Sequence, residues 1–281
     1  NMAKAIITGA SGDMGKVIAL ELSKKGYEVI MACRNISKSI PIREEIIANS
    51  NNPNVSIKQL DLCSLKSVTD FAKEILKEGD ISILVNNAGI LCHEYQTTQD
   101  GYEMNIGVNY LAPMLLCQLL LPSMNKGGRI INVVSCTTQI GRINRDIFHP
   151  TSKFRRFPFY SNSKLALLLG TIELASKAKD YEITINAADP GIVSTGMITM
   201  DKWFDPIADL LFRPFIRTPE EGAATALHIA LTEDGINKNG TLFASCKEKN
   251  IPSRILESSN RNWLKSETDK ILNEYLLTSL K

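Results

Sequence analysis

Apolar residues alternate between two spacings along this chain. Ala3, Ala5, Ile6 and Ile7 make a run of strand length, and Lys16 to Lys25 then sets Val17, Ile18, Leu20 and Leu22 on one helical face before Gly26 ends the pattern. The pair of signals recurs to the C-terminus. Further strands are predicted over 29–32, 55–60, 81–85, 129–134, 184–188 and 241–244, and further helices over 42–48, 65–76, 100–124, 159–177, 219–231 and 262–277. Pro41 suits the first turn of the 42–48 helix, where its missing N–H costs nothing. Strands alternating with helices over this length pair in parallel through right-handed crossovers. The expected fold class is therefore α/β, a doubly wound parallel sheet of about seven strands with helices on both faces. No internal repeat, low-complexity tract or linker-like stretch interrupts residues 1–281, which read as a single domain.

Such sheets bind ligands past the carboxyl ends of their strands, and the residues there carry chemistry. The first strand runs into Thr8-Gly9-Ala10-Ser11-Gly12-Asp13-Met14-Gly15. Glycines wedged between strand and helix allow a tight turn and close backbone approach, and free N–H groups at the helix start then hold a pyrophosphate without a cationic side chain. The second strand finishes in Cys33-Arg34-Asn35. A free ribose 2′-hydroxyl calls for an acid about 20 residues beyond the glycines. Arg34 stands there instead, 19 positions past Gly15 (34 minus 15), which suits a 2′-phosphate and favours NADP(H) over NAD(H). Asp61-Leu62 at the third strand end is placed for the adenine. Asn86-Asn87-Ala88-Gly89 at the fourth is small and polar, as needed where backbone passes close to a bound ring or ribose.

Composition narrows the partners. An apolar content of 44% supports a sizeable core, and 32 basic against 30 acidic residues, net +2, give no reason to expect nucleic acid. The six cysteines (33, 63, 92, 117, 136 and 246) form no C-x-x-C pair and no zinc-like spacing with the histidines, so no metal site is expected, and reduced thiols suit a cytoplasmic location. No run approaches the roughly 18 consecutive apolar residues that cross a bilayer, so no transmembrane segment is expected. The N-terminus lacks the basic and apolar regions of a signal peptide.

The fifth strand ends in Asn132-Val133-Val134-Ser135, and 25 positions on (160 minus 135) comes Tyr160-Ser161-Asn162-Ser163-Lys164. Tyr160 and Lys164, at i and i+4, share a helix face. A phenol near pKa 10 is a poor base at neutral pH. An ammonium about 4 Å away is worth roughly 4 kcal/mol at an effective dielectric near 20, enough to lower that pKa substantially. Tyr160 would then exchange a proton with an alcohol or carbonyl oxygen while Ser135 donates a hydrogen bond to it.

With these pieces in order, the chain resembles the short-chain dehydrogenase/reductase family over residues 3–200. The matching runs are TGASGDMG, Asp61-Leu62, NNAG, Asn109 within GVNYLAP, NVVS, YSNSK, and Asp189-Pro190-Gly191 with Thr195. The resemblance implies a Rossmann-type NAD(P)-binding domain with Tyr160 as general acid/base and Ser135 orienting the substrate oxygen. It also implies Lys164 lowering the Tyr160 pKa and holding the nicotinamide ribose, and Asn109 supporting a proton-relay water. Implied cofactor contacts come from Gly9, Ser11, Asp13, Met14, Gly15, Arg34, Asn35, Asp61, Leu62, Asn87, Ala88, Gly89, Tyr160 and Lys164, with Pro190, Gly191, Val193 and Thr195 flanking the nicotinamide. The long Ser135–Tyr160 interval, the CRN run, TPEEGA (218–223) and NGTLFASCK (239–247) are similar to the retinol dehydrogenase branch. One departure stands out. The family's usual T-G-x-x-x-G-x-G becomes the G-x-x-G-x-x-G spacing of nucleotide-sugar epimerases, with Asp13 beside the phosphate position, awkward unless its side chain turns outward or caps the helix.

The expected function is an NADP(H)-dependent oxidoreductase that moves a hydride between the nicotinamide and an apolar carbonyl or alcohol substrate. Trp203, Phe204, Leu210, Leu211, Phe212 and Phe215, in a substrate loop over 192–217, suit a lid on an apolar pocket. Two alternatives remain: an epimerase- or dehydratase-like enzyme with tightly bound NAD, and a catalytically silent NADP-binding redox sensor. The Asn109, Ser135, Tyr160, Lys164 set argues against silence. Arg142, Arg145, Lys153, Arg155 and Arg156 crowd one segment, either a solvated loop or a contact for an anionic substrate or lipid headgroup. The helices over 100–124 and 159–177 are candidate pairing faces for a homodimer or homotetramer.

Overall fold

The computed structural model describes residues 2–194 and 216–278. Its strands are β1 (Lys4–Thr8), β2 (Glu28–Cys33), β3 (Val55–Gln59), β4 (Ile81–Asn86), β5 (Met124–Val133), β6 (Thr184–Asp189), β7 (Ile192–Val193), β8 (Ile216–Arg217), β9 (Leu242–Ala244) and β10 (Lys247–Glu248). One sheet runs in the order β10-β9-β6-β5-β4-β1-β2-β3, and β7 pairs with β8 separately. The seven expected strands are all present and parallel to their neighbours. Beyond them, the antiparallel β10 edges the large sheet and β7–β8 forms the small one. Pairs of two residues leave no periodic signal in a sequence.

Side chains that alternate along each strand go to opposite layers. Ile6, Leu84 and Ile130 pack with Phe71 and with the helices Met104–Ser123 and Arg156–Asp180. Ile7, Val85 and Ile131 pack with Ile18 and Leu22 of α1 (Asp13–Lys24) and Ile229 of the helix Pro219–Leu231. Burial on both faces explains why the strands read as continuous apolar runs rather than alternating ones.

The helices expected from residues 16, 42, 100, 159 and 262 start three to six residues away from those positions, and two of these shifts have a clear polar cause. The helix α2 (Ile36–Ser50) begins six residues early and carries Pro41 in its interior. Asn35 caps it, its Oδ1 accepting from Lys38 N at 3.0 Å. Ser37, whose carbonyl loses its helical donor because of Pro41, lies exposed to solvent. The helix predicted from residue 100 starts at Met104, because the buried Glu103 carboxylate accepts from Asn105 N and Ile106 N, both at 3.0 Å.

One expectation about partners is corrected here, that no segment could cross a membrane, and the helices offered to a symmetry mate also carry a helix of the same chain. The helix Met104–Ser123 is 20 residues long with a mean hydropathy of 1.4 in its best window, so by length and composition it could cross a membrane, although 89% of that window is buried inside the fold. Asn105, Asn109 and Gln118 break the apolar run, so counting consecutive apolar residues missed it. The faces assigned to a symmetry mate are covered by the chain's own helix Ser259–Thr278. Leu264 and Leu272 are buried there, Tyr110 OH and Thr268 Oγ1 share a hydrogen bond at 2.8 Å, and Arg261 Nε meets Glu173 Oε1 at 2.6 Å.

Candidate active site

The turn after β1 is as tight as its glycines suggested. Gly9 has φ +63°, its N–H donates to Ala32 O at 3.0 Å, and Gly12 N–H donates to Gly9 O at 3.1 Å. A Cβ on Gly9 would lie 3.0 Å from Ala88 Cα; one on Gly15 would lie 2.2 Å from Gly9 O and 2.7 Å from Asn87 Nδ2. A Cβ on Gly12 would meet only Gly9 O, at an ordinary 3.4 Å. The first N–H groups of α1 therefore open onto this cradle, with no intrahelical acceptor. Asp13 heads α1 and is exposed, Gly12 rather than an Asp13 side chain occupies the cap, and Ser11 is exposed beside it.

The end of β4 locks against the turn. Ala88 N–H donates to Thr8 Oγ1 at 3.0 Å, and Asn87 Nδ2 donates to Thr8 O at 3.1 Å. The Asn87 Oδ1 is buried with no hydrogen-bond partner. Gly89 follows, and a Cβ there would lie 3.1 Å from Lys164 Nζ and 3.3 Å from Asn109 Oδ1. Asn109 sits in a π-helical turn, Gly107–Leu111, a local widening that is frequent at functional sites. Its Oδ1 accepts from Ile90 N at 2.8 Å, and its Nδ2 donates to Ile90 O at 2.9 Å and Ser163 Oγ at 3.0 Å.

Lys164 and Tyr160 lie on one face of the helix Arg156–Asp180, with Lys164 Nζ 5.9 Å from the Tyr160 ring centroid. Lys164 Nζ donates to Val133 O at 3.0 Å, and burial lowers its pKa to about 8. Burial pushes Tyr160 up to about 12; a hydrogen bond with Ser135 pulls it down, while the charges of Cys136 and Asp189 push it further up. The lowered phenol expected from Lys164 is thus not the balance struck here, where burial is the largest influence on both groups. Ser135 Oγ also accepts from Thr137 N at 3.2 Å.

The segment after β6 closes the other side. Gly191, at φ +74°, donates its N–H to Asp189 Oδ1 at 2.9 Å, and Lys249 Nζ meets Asp189 Oδ2 at 3.2 Å. Arg217 donates to Pro190 O at 3.3 Å and Ser245 Oγ at 2.7 Å. A Cβ on Gly222 would lie 2.5 Å from Val193 Cγ2 and 3.1 Å from Met14 Sδ, so Val193 and the first turn of α1 converge. Thr195 and the 203–215 aromatic run fall outside the described residues.

The remaining predicted contacts cluster at the ends of β2 and β3. Arg34 is exposed and bonds the Cys63 side chain, Asp61 Oδ1 accepts from Cys63 N at 2.9 Å, and Leu62 packs half-buried against the core. Asn35 is engaged as the α2 cap. Sequence reasoning missed Ser163, whose Oγ donates to Tyr160 O at 2.7 Å, and the Asp189–Lys249 pair, 60 residues apart, which no local pattern announces.

The chain belongs to the short chain dehydrogenase family, whose model matches residues 3–203. It is 37% identical over 266 residues to retinol dehydrogenase 12 of Mus musculus, covering 92% of this chain and 83% of that protein. To retinol dehydrogenase 11 of Homo sapiens it is 36% identical over 249 residues, covering 86% and 76%. Among solved structures, an uncharacterised protein from Mycobacterium paratuberculosis superposes with a TM-score of 0.78 at 27% identity, covering 96% of this chain and 93% of that one. A blue fluorescent protein from a metagenomic library, in complex with NADPH, gives 0.70 at 27% identity, covering 87% and 96%. The chain is accordingly an oxidoreductase of the short-chain type, acting between alcohol and carbonyl groups with a nicotinamide cofactor.

Proposed function

We propose that this chain is an NADP(H)-dependent reductase and dehydrogenase of apolar carbonyls and alcohols, with Tyr160 as its proton carrier. The observation that carries the reading is one continuous line of contacts. It runs from the Gly9 turn through Ala88 and Gly89 to Lys164, Tyr160 and Ser135. The tight Gly9–Gly15 turn, in which a Cβ on Gly15 would strike Gly9 O and Asn87, leaves the first N–H groups of α1 free for a dinucleotide along that line, and the buried Asn87 Oδ1 has no hydrogen-bond partner. Gly9, Ser11, Asp13, Met14 and Gly15 would hold its pyrophosphate through backbone, and Arg34 its 2′-phosphate. Asp61 and Leu62 would flank the adenine, and Pro190, Gly191 and Val193 the nicotinamide. When bound, the nicotinamide supplies or accepts the hydride.

Tyr160, a neutral phenol at physiological pH whose burial pushes its pKa further up, hands its proton to the substrate oxygen in the reductive direction. Ser135 bonds that oxygen and the phenol together. Lys164 offers a positive charge beside the phenolate left behind, and Asn109 anchors the loop at Ile90 and Ser163 beneath it. Likeness to retinol dehydrogenases supports an apolar substrate, and the NADPH-bound relative supports the phosphorylated cofactor. The test is NADPH oxidation against a panel of short aldehydes, long-chain aldehydes and conjugated polyene aldehydes, repeated with NADH. Turnover of the long apolar substrates with NADPH is expected; activity confined to NADH, or to small polar carbonyls, overturns the reading.

A further inference from the structure

The antiparallel strand at the edge of the sheet brings a cation to the site. β9 and β10 meet through the two-residue turn Ser245-Cys246, both at positive φ, +51° and +59°. Left-handed backbone at both turn positions matches the twist of a hairpin, but two non-glycine residues there carry a strain that the surroundings must hold. The turn is tied on two sides. Cys246 N–H donates to Thr225 Oγ1 at 3.1 Å, and Arg217 donates to Ser245 Oγ at 2.7 Å. Lys249 follows β10, its N–H donating to Leu242 O at 2.8 Å, and its Nζ reaches Asp189 Oδ2 at 3.2 Å.

Asp189 closes β6 beside the reacting groups. Val133 lies opposite Ala188 and Val134 N–H donates to Ala188 O at 2.9 Å, so Asp189 stands next to Val134 and Ser135 where the two strands end. Its side chain is only 5% exposed, and its Oδ1 accepts the Gly191 N–H at 2.9 Å. A buried carboxylate needs a cation, and Lys249 supplies it. Facing the Tyr160 phenol are Lys164 from its own helix, Cys136 beyond β5 and Asp189 from β6. Facing the Asp189 carboxylate are Cys136 and Lys249, while Arg217 of β8 lies beside Gly191 and is spent on Pro190 O and Ser245 Oγ. Burial is the largest influence on both the phenol and the Cys136 thiol. The Asp189 charge pushes both further up, and Lys249 pulls the thiol down.

We infer that Asp189 and Lys249 are positioning residues for the proton transfer: the carboxylate opposes loss of the Tyr160 proton, and the ammonium, delivered by the β9–β10 hairpin, offsets that opposition. Lys249 acts on Tyr160 through Asp189, and neither residue needs to touch the substrate. The inference deepens the proposed proton-carrier role and rests on it. The field of the pair also falls on Cys136, a half-buried thiol beside the same carboxylate, where it can be read without turnover.

The test has two arms. Alkylation of Cys136 by iodoacetamide, followed by mass spectrometry at its own peptide, reads the field directly. Asp189→Asn keeps the acceptor for the Gly191 N–H and is expected to speed alkylation near pH 8 about threefold, because a tenfold gain in thiolate is partly offset by lower nucleophilicity. Lys249→Met is expected to slow it by a similar factor, and Lys249→Arg to leave it near the wild type. In the second arm, NADP+-dependent oxidation of a long-chain alcohol is followed from about pH 6 to about pH 10. Its rise is expected at lower pH in Asp189→Asn and at higher pH in Lys249→Met, whereas a merely structural role would slow both variants together. Shifts of the two variants in the same direction, or none at Cys136, overturn the proposal. So does an unmoved oxidation profile where Tyr160→Phe is inactive. Absence of any turnover, or turnover that survives Tyr160→Phe, instead overturns the proton-carrier reading, and the positioning role with it.

Discussion

Lys164 Nζ donates to the Val133 carbonyl at 3.0 Å in a buried site, and burial alone sets its pKa at about 8. An unfolded chain holds that proton up to about 10.5, so below about pH 8 the fold bears a cost near 3 kcal/mol, from about 1.4 kcal/mol for each pH step between the two values. The sign follows: this group destabilises at neutral pH, and stability rises with pH between about 8 and 10.5. Lys164→Met is expected to remove that slope. In urea unfolding near pH 7 and near pH 10, the wild type gains roughly 2–3 kcal/mol relative to the variant at the higher pH; parallel behaviour of the two proteins would refute the buried-ammonium account.

Tyr160, raised to about 12, is a proton donor throughout the ordinary pH range and a phenolate only at alkaline pH. Alcohol oxidation needs the phenolate, so its rate is expected to climb by up to tenfold per pH step above neutrality while carbonyl reduction stays nearly flat. Tyr160→Phe should lose turnover by several orders of magnitude in both directions yet retain nicotinamide binding by fluorescence titration. A variant that turns over at wild-type rate excludes the proton role.

The glycine turn makes opposite predictions at two positions that the motif treats alike. Gly15→Ala forces a Cβ to 2.2 Å from a backbone oxygen and is expected to weaken dinucleotide binding at least tenfold, or to destabilise the turn. Gly12→Ala meets only an ordinary 3.4 Å contact and should bind nearly as the wild type does. Calorimetric titration of both variants decides the matter, and equal losses would mean that ligand approach, not packing, demands the middle glycine.

Arg34 stands exposed where β2 ends, tied only loosely to Cys63. Arg34→Asp replaces a phosphate partner by a hydroxyl acceptor and is expected to shift the NADPH-to-NADH preference by tenfold or more toward NADH. An unchanged ratio of kcat/KM values would separate Arg34 from the ribose.

Much of this was readable from residues alone. Two-sided burial of β1, β4 and β5 made their apolar runs unmistakable, and the helix over 219–231 matches to the residue; in the structure Thr218 and Glu221 close its start with a capping box. Helix starts that depend on a single polar cap were misplaced: Asn35 and Glu103 act by side-chain reach, which apolar periodicity does not register. The protonation state of the site was not readable either. Spacing shows that Tyr160 and Lys164 share a face, but the depth at which they lie, and hence the desolvation that dominates both, depends on the layers packed above and below.

The linear chain by itself determined the parallel α/β architecture, the glycine cradle and the Ser135, Tyr160, Lys164 set, because each is written in short-range periodicity or motif. The tertiary structure alone decided that Ser259–Thr278 covers the helices expected to face a partner, that Lys249 neutralises Asp189 beside the site, and that Gly9 and Gly15 but not Gly12 are sterically required. Those outcomes depend on distances between residues far apart in the chain, which are set only when the layers close on one another.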